Sequence, residues 1–391
     1  MIDGSPPRTE FTGKLRYGMV GGGPGAFIGD VHRRSIALDE MALITAGCFS
    51  RSFENTLSTG TALGIDRDRL YGTFEEMAEA EGNGPGGIDF AVIVTPNVSH
   101  YPAVRAFLRR GIPVVCDKPL CFTESQAMEL TDLAKSRDLL FCVTYTYTGF
   151  PAVKHAREMI RHGEIGEVIY VAAEYPQDWL ISPQEKEGNR QAQWRTDPQW
   201  TGNSNCVGDI GSHIENIISY VTGLKIKSVL ARLDRLGPGR VLDDNATILV
   251  EYEGGAKGVY WSSQMAAGYD NGLQFRIFGR QGSLEWRVED PNYLRVSLRD
   301  KPRMVLSRGR DSFYPRAQAF SRIPAGHPEG YFEALANIYK TYMGALIKQR
   351  AGETPEGDDL DFPNGQDGLN GVRFINACVE SSRQGAVWIT F

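Results

Sequence analysis

The feature that most restricts the fold is a series of short, uniformly apolar runs in the first 150 residues, at 15–20, 42–49, 88–94, 113–116 and 139–143. Helix-compatible stretches separate them: about 30–38, then 101–110 closed by Gly111, then a helix capped by Thr123 with Ala127, Leu130 and Ala134 on one face. Strands that are apolar on both faces and alternate with helices predict a doubly wound parallel sheet covered on both sides. Such sheets bind ligands beyond the carboxyl ends of their strands. The polar motifs of this half stand at those ends: Gly21-Gly22-Gly23, Ser50-Arg51, Thr95-Pro96-Asn97 and Asp117-Lys118.

The glycine turn after the first strand lets the backbone approach a pyrophosphate, and the following helix N-terminus supplies N–H donors and a positive dipole. Here Gly21 and Gly23 are followed by Pro24, Gly25, Ala26, Phe27 and Ile28 before Gly29, so the turn is about two residues longer than the standard spacing. The expected cofactor is therefore a dinucleotide, held by Gly21, Gly23, Ala26, Phe27 and Ile28. Ser50 and Arg51 follow the second strand, where an acid would hold the ribose hydroxyls of NAD and repel the 2′-phosphate of NADP. With no acid there, the residues permit either NAD or NADP.

Beyond residue 150 the pattern changes. A helix over 152–160 precedes a strand over 167–175. Strand-like runs follow at 226–233, 246–252, 258–264, 273–278 and 283–286, separated by glycine-bearing turns. This predicts a second domain on a large, mostly antiparallel, open sheet. A helix over about 209–221 covers one face, and the other face is left for a second copy of the chain. The expectation is a homo-oligomer, dimer or tetramer. Helices at 330–349 and 365–382 and a short strand at 386–391 close the chain. The domains expected are a mobile tail at 1–13, a dinucleotide-binding domain at 14–150 and a substrate-binding and oligomerisation domain at 151–391.

Composition narrows the partners. The 391 residues carry a net charge of −6 with no long basic run, which disfavours a nucleic-acid partner. No apolar run approaches bilayer length. The N-terminal stretch lacks a signal-peptide core, and the six cysteines form no C-x-x-C pair and no zinc-ligand spacing. A cytoplasmic protein without a metal and with buried free thiols is expected.

Two segments carry chemistry. Gly208-Asp209-Ile210-Gly211-Ser212-His213 puts an acid and an imidazole four residues apart at a helix start, about 6 Å between Cβ atoms, where a carboxylate can raise the basicity of the histidine. A capping Asp and a satisfied core His would look the same. Lys118 interrupts an apolar strand at its functional end, held extended by Pro119, and can stabilise a developing oxyanion. Alcohol oxidation needs a base, a charge stabiliser and a hydride acceptor. His213, Lys118 and Asp209 supply the first two, the division between Lys and His being open.

These pieces together resemble the glucose–fructose oxidoreductase/inositol dehydrogenase (Gfo/Idh/MocA) family over nearly the full length: the glycine turn, Thr95-Pro96-Asn97 with His100, Lys118-Pro119, and Gly208-Asp209 through His213. The family has E-K-P where this chain has Asp117-Lys118-Pro119. The resemblance implies a Rossmann domain and a C-terminal domain with a large, mostly antiparallel sheet. It also implies Lys118, Asp209 and His213 as catalytic residues, cofactor contacts from Thr95, Pro96, Asn97, His100, Asp117 and Lys118, and NAD slightly before NADP. Tyr175 to Trp179, with Trp194-Arg195, resembles members that oxidise anhydrosugars or glycosides, which implies substrate contacts from Tyr147, Gln177 and Arg195, beside Asp209 and His213; Trp179 and Trp194 could stack on a sugar ring or pack in the core. The expected activity is hydride transfer between a sugar, glycoside or polyol and NAD(P). The alternative is a redox-neutral NAD-dependent glycosidase that oxidises, eliminates and reduces in turn. His327 to Tyr331 precedes a helix and could close the site, or be only an N-terminal cap with a Pro. His155 and His162, on an outer helix, are given no role.

Overall fold

The computed structural model describes residues 13–82 and 86–391. The tail expected at 1–13 therefore lies almost wholly outside the described residues.

Five parallel strands form the first sheet: β1 (Leu15–Gly21), β2 (Ala42–Cys48), β3 (Phe90–Val94), β4 (Val114–Cys116) and β5 (Phe141–Val143), in the order β2-β1-β3-β4-β5. The order reverses between β1 and β3, which opens a crevice at their carboxyl ends. Helices α1 (Phe27–Ala37), α2 (Phe53–Ala62), α3 (Phe74–Gly82), α4 (His100–Arg109) and α5 (Glu124–Ser136) connect the strands. Thr123 caps α5 as expected, in a reciprocal box with Gln126. Phe90 to Ile93 are wholly buried because a parallel sheet is covered on both faces.

The chain then crosses through α6 (Pro151–Arg161) into β6 (Val168–Pro176). The short α7 (Arg190–Arg195) and α8 (Pro198–Thr201) precede a π-helical turn, Val207–Gly211, that runs into α9 (Ser212–Thr222). Strands β7 (Ile226–Asp234), β8 (Asn245–Tyr252), β9 (Lys257–Ser263), β10 (Gln274–Gly279), β11 (Gly282–Arg287), β12 (Tyr293–Leu298) and β13 (Met304–Ser307) follow. After α10 (Pro315–Gln318), α11 (Tyr331–Arg350) and α12 (Gly365–Arg383), β14 (Ile389–Thr390) completes a nine-stranded sheet, β13-β12-β11-β10-β6-β9-β8-β7-β14. All its pairs are antiparallel except β6 with β9.

One face of this sheet carries Val171, Ala173, Ile248, Val250, Phe275 and Ile277, buried in a common core with Ile214, Ile217 and Ile218 of α9. The alternating positions point away from that core, among them Tyr170 (39% exposed), Leu249 (42%) and Phe278 (37%). The C-terminal helices return to the first sheet. Leu335, Ile338, Tyr339 and Tyr342 of α11 pack with Leu15, Tyr17, Met19 and Val92, while Leu369 and Val372 of α12 join the opposite core. The two sheets thus share helices, and the cleft between them has a braced geometry.

Two details depart from the sequence reading. His155 is not on an outer surface: it is buried, its ring 4.2 Å from that of Phe313, and its Nδ1 accepts from the Tyr314 amide. The segment about 209 is not a plain α-helix start but a π turn, which changes where Asp209 points.

Candidate active site

The glycine turn fits a dinucleotide on its own geometry. Gly21 has φ +86°, and a Cβ there would lie 2.6 Å from the Val94 carbonyl oxygen. Gly29 brings α1 against the turn: its Cβ would meet Gly22 Cα at 2.3 Å. Ala26, at the N-cap of α1, offers no side-chain cap, so the first N–H groups of α1 remain donors for an anion. Gly23 N–H donates to the Phe49 carbonyl, tying the turn to the end of β2, and Phe27 is 69% exposed beside it while Ile28 packs inward. Ser50 Oγ accepts from the Ser52 amide, the Ser50 N–H faces Thr56 Oγ1 and the Ser50 carbonyl accepts from that hydroxyl, and the Arg51 guanidinium lies 4.9 Å above the Trp200 ring.

The other predicted cofactor residues cluster at the ends of β3 and β4, with the polar side chains of Asn97, His100 and Asp117 engaged within the protein and the Thr95 hydroxyl buried without a partner among the described residues. His100 Nδ1 and Nε2 each lie 2.8 Å from a carbonyl oxygen, of Pro119 and Thr95 respectively, so the ring clamps two cleft loops together. Asn97 Nδ2 donates to Thr201, reaching across to α8. Asp117 accepts from Thr144 Oγ1 at 2.9 Å. Pro96 starts the turn that carries Asn97.

Lys118, Asp209 and His213 do converge. Lys118 Nζ donates to Asp209 Oδ1 at 2.9 Å and to the Asp209 carbonyl at 2.6 Å. The carboxylate also faces Arg195 Nε at 3.2 Å and accepts from Gln264 Nε2 at 3.1 Å. Burial alone would raise the Asp209 carboxyl, but the Arg195 and Lys118 cations outweigh it and hold the group well below the usual carboxylate range. The expected pairing of Asp209 with His213 is replaced by these contacts. Burial, with Lys118 adding to it, pushes His213 well below its ordinary value, and Asp209 offsets only part of this. The imidazole is neutral at pH 7, and its buried Nδ1 has no hydrogen-bond partner among the described residues.

Aromatic rings surround His213. Tyr147, Tyr175 and Tyr145 have ring centroids 4.8, 6.2 and 5.7 Å from it. The Tyr147 and Tyr175 hydroxyls bond each other, and Tyr175 O–H donates to Asn271 Oδ1 at 2.6 Å, which also accepts from Gln177 Nε2 at 3.1 Å. Since Tyr175 gives its proton to Asn271, Tyr147 must donate to Tyr175. Trp194 and Trp179 flank the Arg195 guanidinium at 4.2 and 5.9 Å.

Sequence reasoning missed Tyr175, Gln264 and Asn271 as candidate-site residues and gave Tyr331, in a segment that could close the site, no role of its own. Tyr331 Oη contacts Thr146 Oγ1 at 3.4 Å and its ring lies 6.0 Å from Tyr147. Nothing marked Gln264 or Asn271 in the sequence, because an amide at a strand end or in a loop has no spacing signature. Tyr175 stood in a quoted motif but read as strand. Among the described residues no group of three His, Cys, Asp or Glu side chains can hold a metal.

Comparison with known proteins agrees with this geometry. Residues 15–145 match the oxidoreductase family model with an NAD-binding Rossmann fold, and residues 153–285 match the GFO/IDH/MocA C-terminal domain. An uncharacterised oxidoreductase of Bacillus subtilis is 34% identical over 380 residues, covering 96% of this chain and 97% of its own. An inositol dehydrogenase homologue of Azotobacter vinelandii, solved with NAD+, is 36% identical with a TM-score of 0.93, each chain covered in full (100%). An oxidoreductase of Sinorhizobium meliloti is 42% identical with a TM-score of 0.86, over 96% of this chain and 99% of its own. A levoglucosan dehydrogenase of Pseudarthrobacter phenanthrenivorans is 27% identical over 53% of this chain and 57% of its own. A first-strand glycine cradle, a lysine on a part-buried aspartate and a two-domain match of this extent have one reading: the chain belongs to the Gfo/Idh/MocA family of NAD(P)-dependent oxidoreductases.

Proposed function

We propose that the chain oxidises a secondary hydroxyl of a sugar or polyol, with Lys118, Asp209 and His213 at the reacting carbon. The observation that carries this reading is the seating of Lys118. Two of its three N–H donors are engaged on Asp209. The third remains for a substrate oxygen, where an ammonium stabilises developing alkoxide charge.

Bound along the glycine turn, NAD(P)+ supplies the hydride acceptor. His213, neutral in its buried site, takes the hydroxyl proton as the C–H bond gives up its electron pair. Asp209 stays ionised, holding the ammonium in place. Burial of the histidine keeps its proton affinity low, so the ring releases the proton readily once the ketone has formed.

Tyr147, Gln177, Trp179, Trp194 and Arg195 form the substrate wall in this proposal. Because Tyr147 commits its proton to Tyr175, its oxygen meets the substrate as an acceptor, which suits a donor hydroxyl beside the oxidised carbon. The inositol and levoglucosan named for the relatives carry such neighbouring hydroxyls, which supports the polyol reading. The exposed apolar row on the outer face of the nine-stranded sheet supports a homo-oligomer. The six buried free thiols suit a reducing compartment such as the cytoplasm, and no described helix is long and apolar enough to cross a membrane.

The test is absorbance at about 340 nm with NAD+ and NADP+ across a panel including myo-inositol, scyllo-inositol and levoglucosan, beside aryl glycosides. Turnover with a polyol is expected. A panel without reduction of either cofactor overturns the reading, and release of the aryl group without net reduced cofactor would assign the redox-neutral glycosidase instead.

A further inference from the structure

Gln264 follows β9 and is wholly buried. Its Oε1 accepts from Asn205 Nδ2 at 2.6 Å, and its Nε2 donates to Asp209 Oδ2 at 3.1 Å. A carboxamide has one accepting end and one donating end, and the ionised Asp209 carboxylate only accepts, so Nε2 faces Asp209 and Oε1 is left for Asn205. The Asn205 main chain is anchored as well, its N–H donating to Asp243 Oδ1 at 3.0 Å. The main chain on either side is equally committed. Gln264 N–H donates to the Asp244 carbonyl, its carbonyl accepts from Leu180, and the Ser263 carbonyl accepts from Gln177.

The carboxylate therefore meets a division of labour. Lys118 holds Oδ1, and Gln264 with Arg195 holds Oδ2. The other titratable groups interacting with Asp209 are His213, Tyr147, Tyr175, Tyr331 and Cys206. Gln264 is the one neutral donor in the set. It fixes the rotation of the carboxylate without adding a charge that would compete with the ammonium or a proton that could be lost.

We infer that Gln264 is a positioning residue: it holds Asp209 in the rotation that aims Lys118 at the substrate oxygen, and its main chain ties that rotation to the segment bearing Gln177 and Trp179. The inference rests on the dehydrogenase reading of the site. Its substrate consequence is that loss of the Gln264 donor lowers kcat and leaves cofactor binding intact.

Two variants test it, Gln264→Leu and Gln264→Glu, assayed with NAD+ and myo-inositol as the probe. Gln264→Leu is expected to lower kcat about tenfold or more, with the Kd for NADH unchanged. Gln264→Glu sets a second carboxyl against Asp209, and two carboxyls sharing one site raise one of the pair. The acid limb of kcat, which in wild type lies below the ordinary histidine value because Asp209 and His213 are both held low, should move up by at least about one pH unit, read from about pH 4 to 8. A merely structural role would lower the Tm and the active fraction but leave the limb where it is. A wild-type pH profile in Gln264→Glu together with kcat within about twofold in Gln264→Leu overturns the inference.

A crystal structure of Gln264→Leu with NADH decides the matter independently of turnover. Asp209 rotated away from Lys118 supports the positioning role, and an unmoved carboxylate overturns it. Wild-type protein inactive on every polyol fails the dehydrogenase reading alone, because this structure still reports on Gln264. If neither variant folds, Asn205→Ala, which frees the Gln264 amide to turn, should reproduce the kcat loss; full kcat there overturns the inference.

Discussion

Lys118 grips a single residue twice: its ammonium bonds both the side-chain Oδ1 and the main-chain carbonyl of Asp209. Lys118 stands just past the end of β4 and both oxygens belong to the π turn, so the candidate site is assembled from both halves of the chain by one side chain. Lys118→Met should lower kcat by about 10²–10³-fold, the range for removing one preorganised transition-state donor. Lys118→Arg should not restore it, since a planar fork cannot bond both oxygens and keep a donor for the substrate. NADH titration by fluorescence should show cofactor affinity within a few-fold of wild type; a large loss there would place Lys118 in cofactor binding instead.

Tyr147 and Asn271 stand at the two ends of a directed hydrogen-bond line through Tyr175. Asn271→Leu leaves Tyr175 free to reverse, so Tyr147 no longer presents an acceptor. The expected result is KM for the polyol raised about tenfold with a smaller change in kcat, and rescue by Asn271→Asp, which keeps the accepting oxygen. Steady-state kinetics on the three proteins check it; equal KM values in all would refute the polarity argument.

Glu215 of α9 is buried, and burial, with Asp367 adding to it, raises its carboxyl to about 8. In the unfolded chain the group titrates at its ordinary value near 4.5. The native state therefore binds the extra proton between these values, and stability is lost as pH rises from the lower to the higher. Glu215→Gln should be stabilised relative to wild type above about pH 8, on the order of 2–4 kcal/mol, with the difference vanishing near pH 4. Chemical denaturation at the two pH values measures it; a difference independent of pH would sink the assignment.

Gly29→Ala sets a methyl group 2.3 Å from Gly22 Cα, a contact that backbone movement alone can relieve. Displacing α1 from the turn should weaken NADH binding at least about tenfold and cost roughly 1–3 kcal/mol of stability. Fluorescence titration and a melting curve read the two effects.

The first sheet was legible because parallel strands are apolar throughout, and the runs at 88–94 and 113–116 fall on β3 and β4 within two residues. Helices α2 and α3 were not: Phe53–Ala62 is rich in Ser and Thr and buries only Thr56 and Gly60, so no apolar stripe marks it. β13 at the open edge escaped for a related reason, Met304 and Val305 being exposed, while β12 escaped although Leu294 and Val296 alternate and are buried. At the site, Lys118, Asp209 and His213 could be found because charged residues interrupt apolar runs there. The direction of Asp209 could not, because a π turn shifts the face by one residue and the sequence carries no mark of it. The amides of Gln264 and Asn271 act through partners far away in the chain, and such partners become visible only in the fold.

The lone parallel pair in the second sheet, β6 beside β9, ends with Pro176 opposite Ser263. Both strands therefore release their following loops at the same rim of the cleft, one leading to Gln177 and Trp179, the other to Gln264 and Asn271. Insertions, deletions and exchanges in those two loops can remake the lining of the pocket while the lysine, the π turn and the glycine cradle stay as they are. On the proposed reading, a change of carbohydrate can then come from those loops alone, without touching the groups of the redox chemistry.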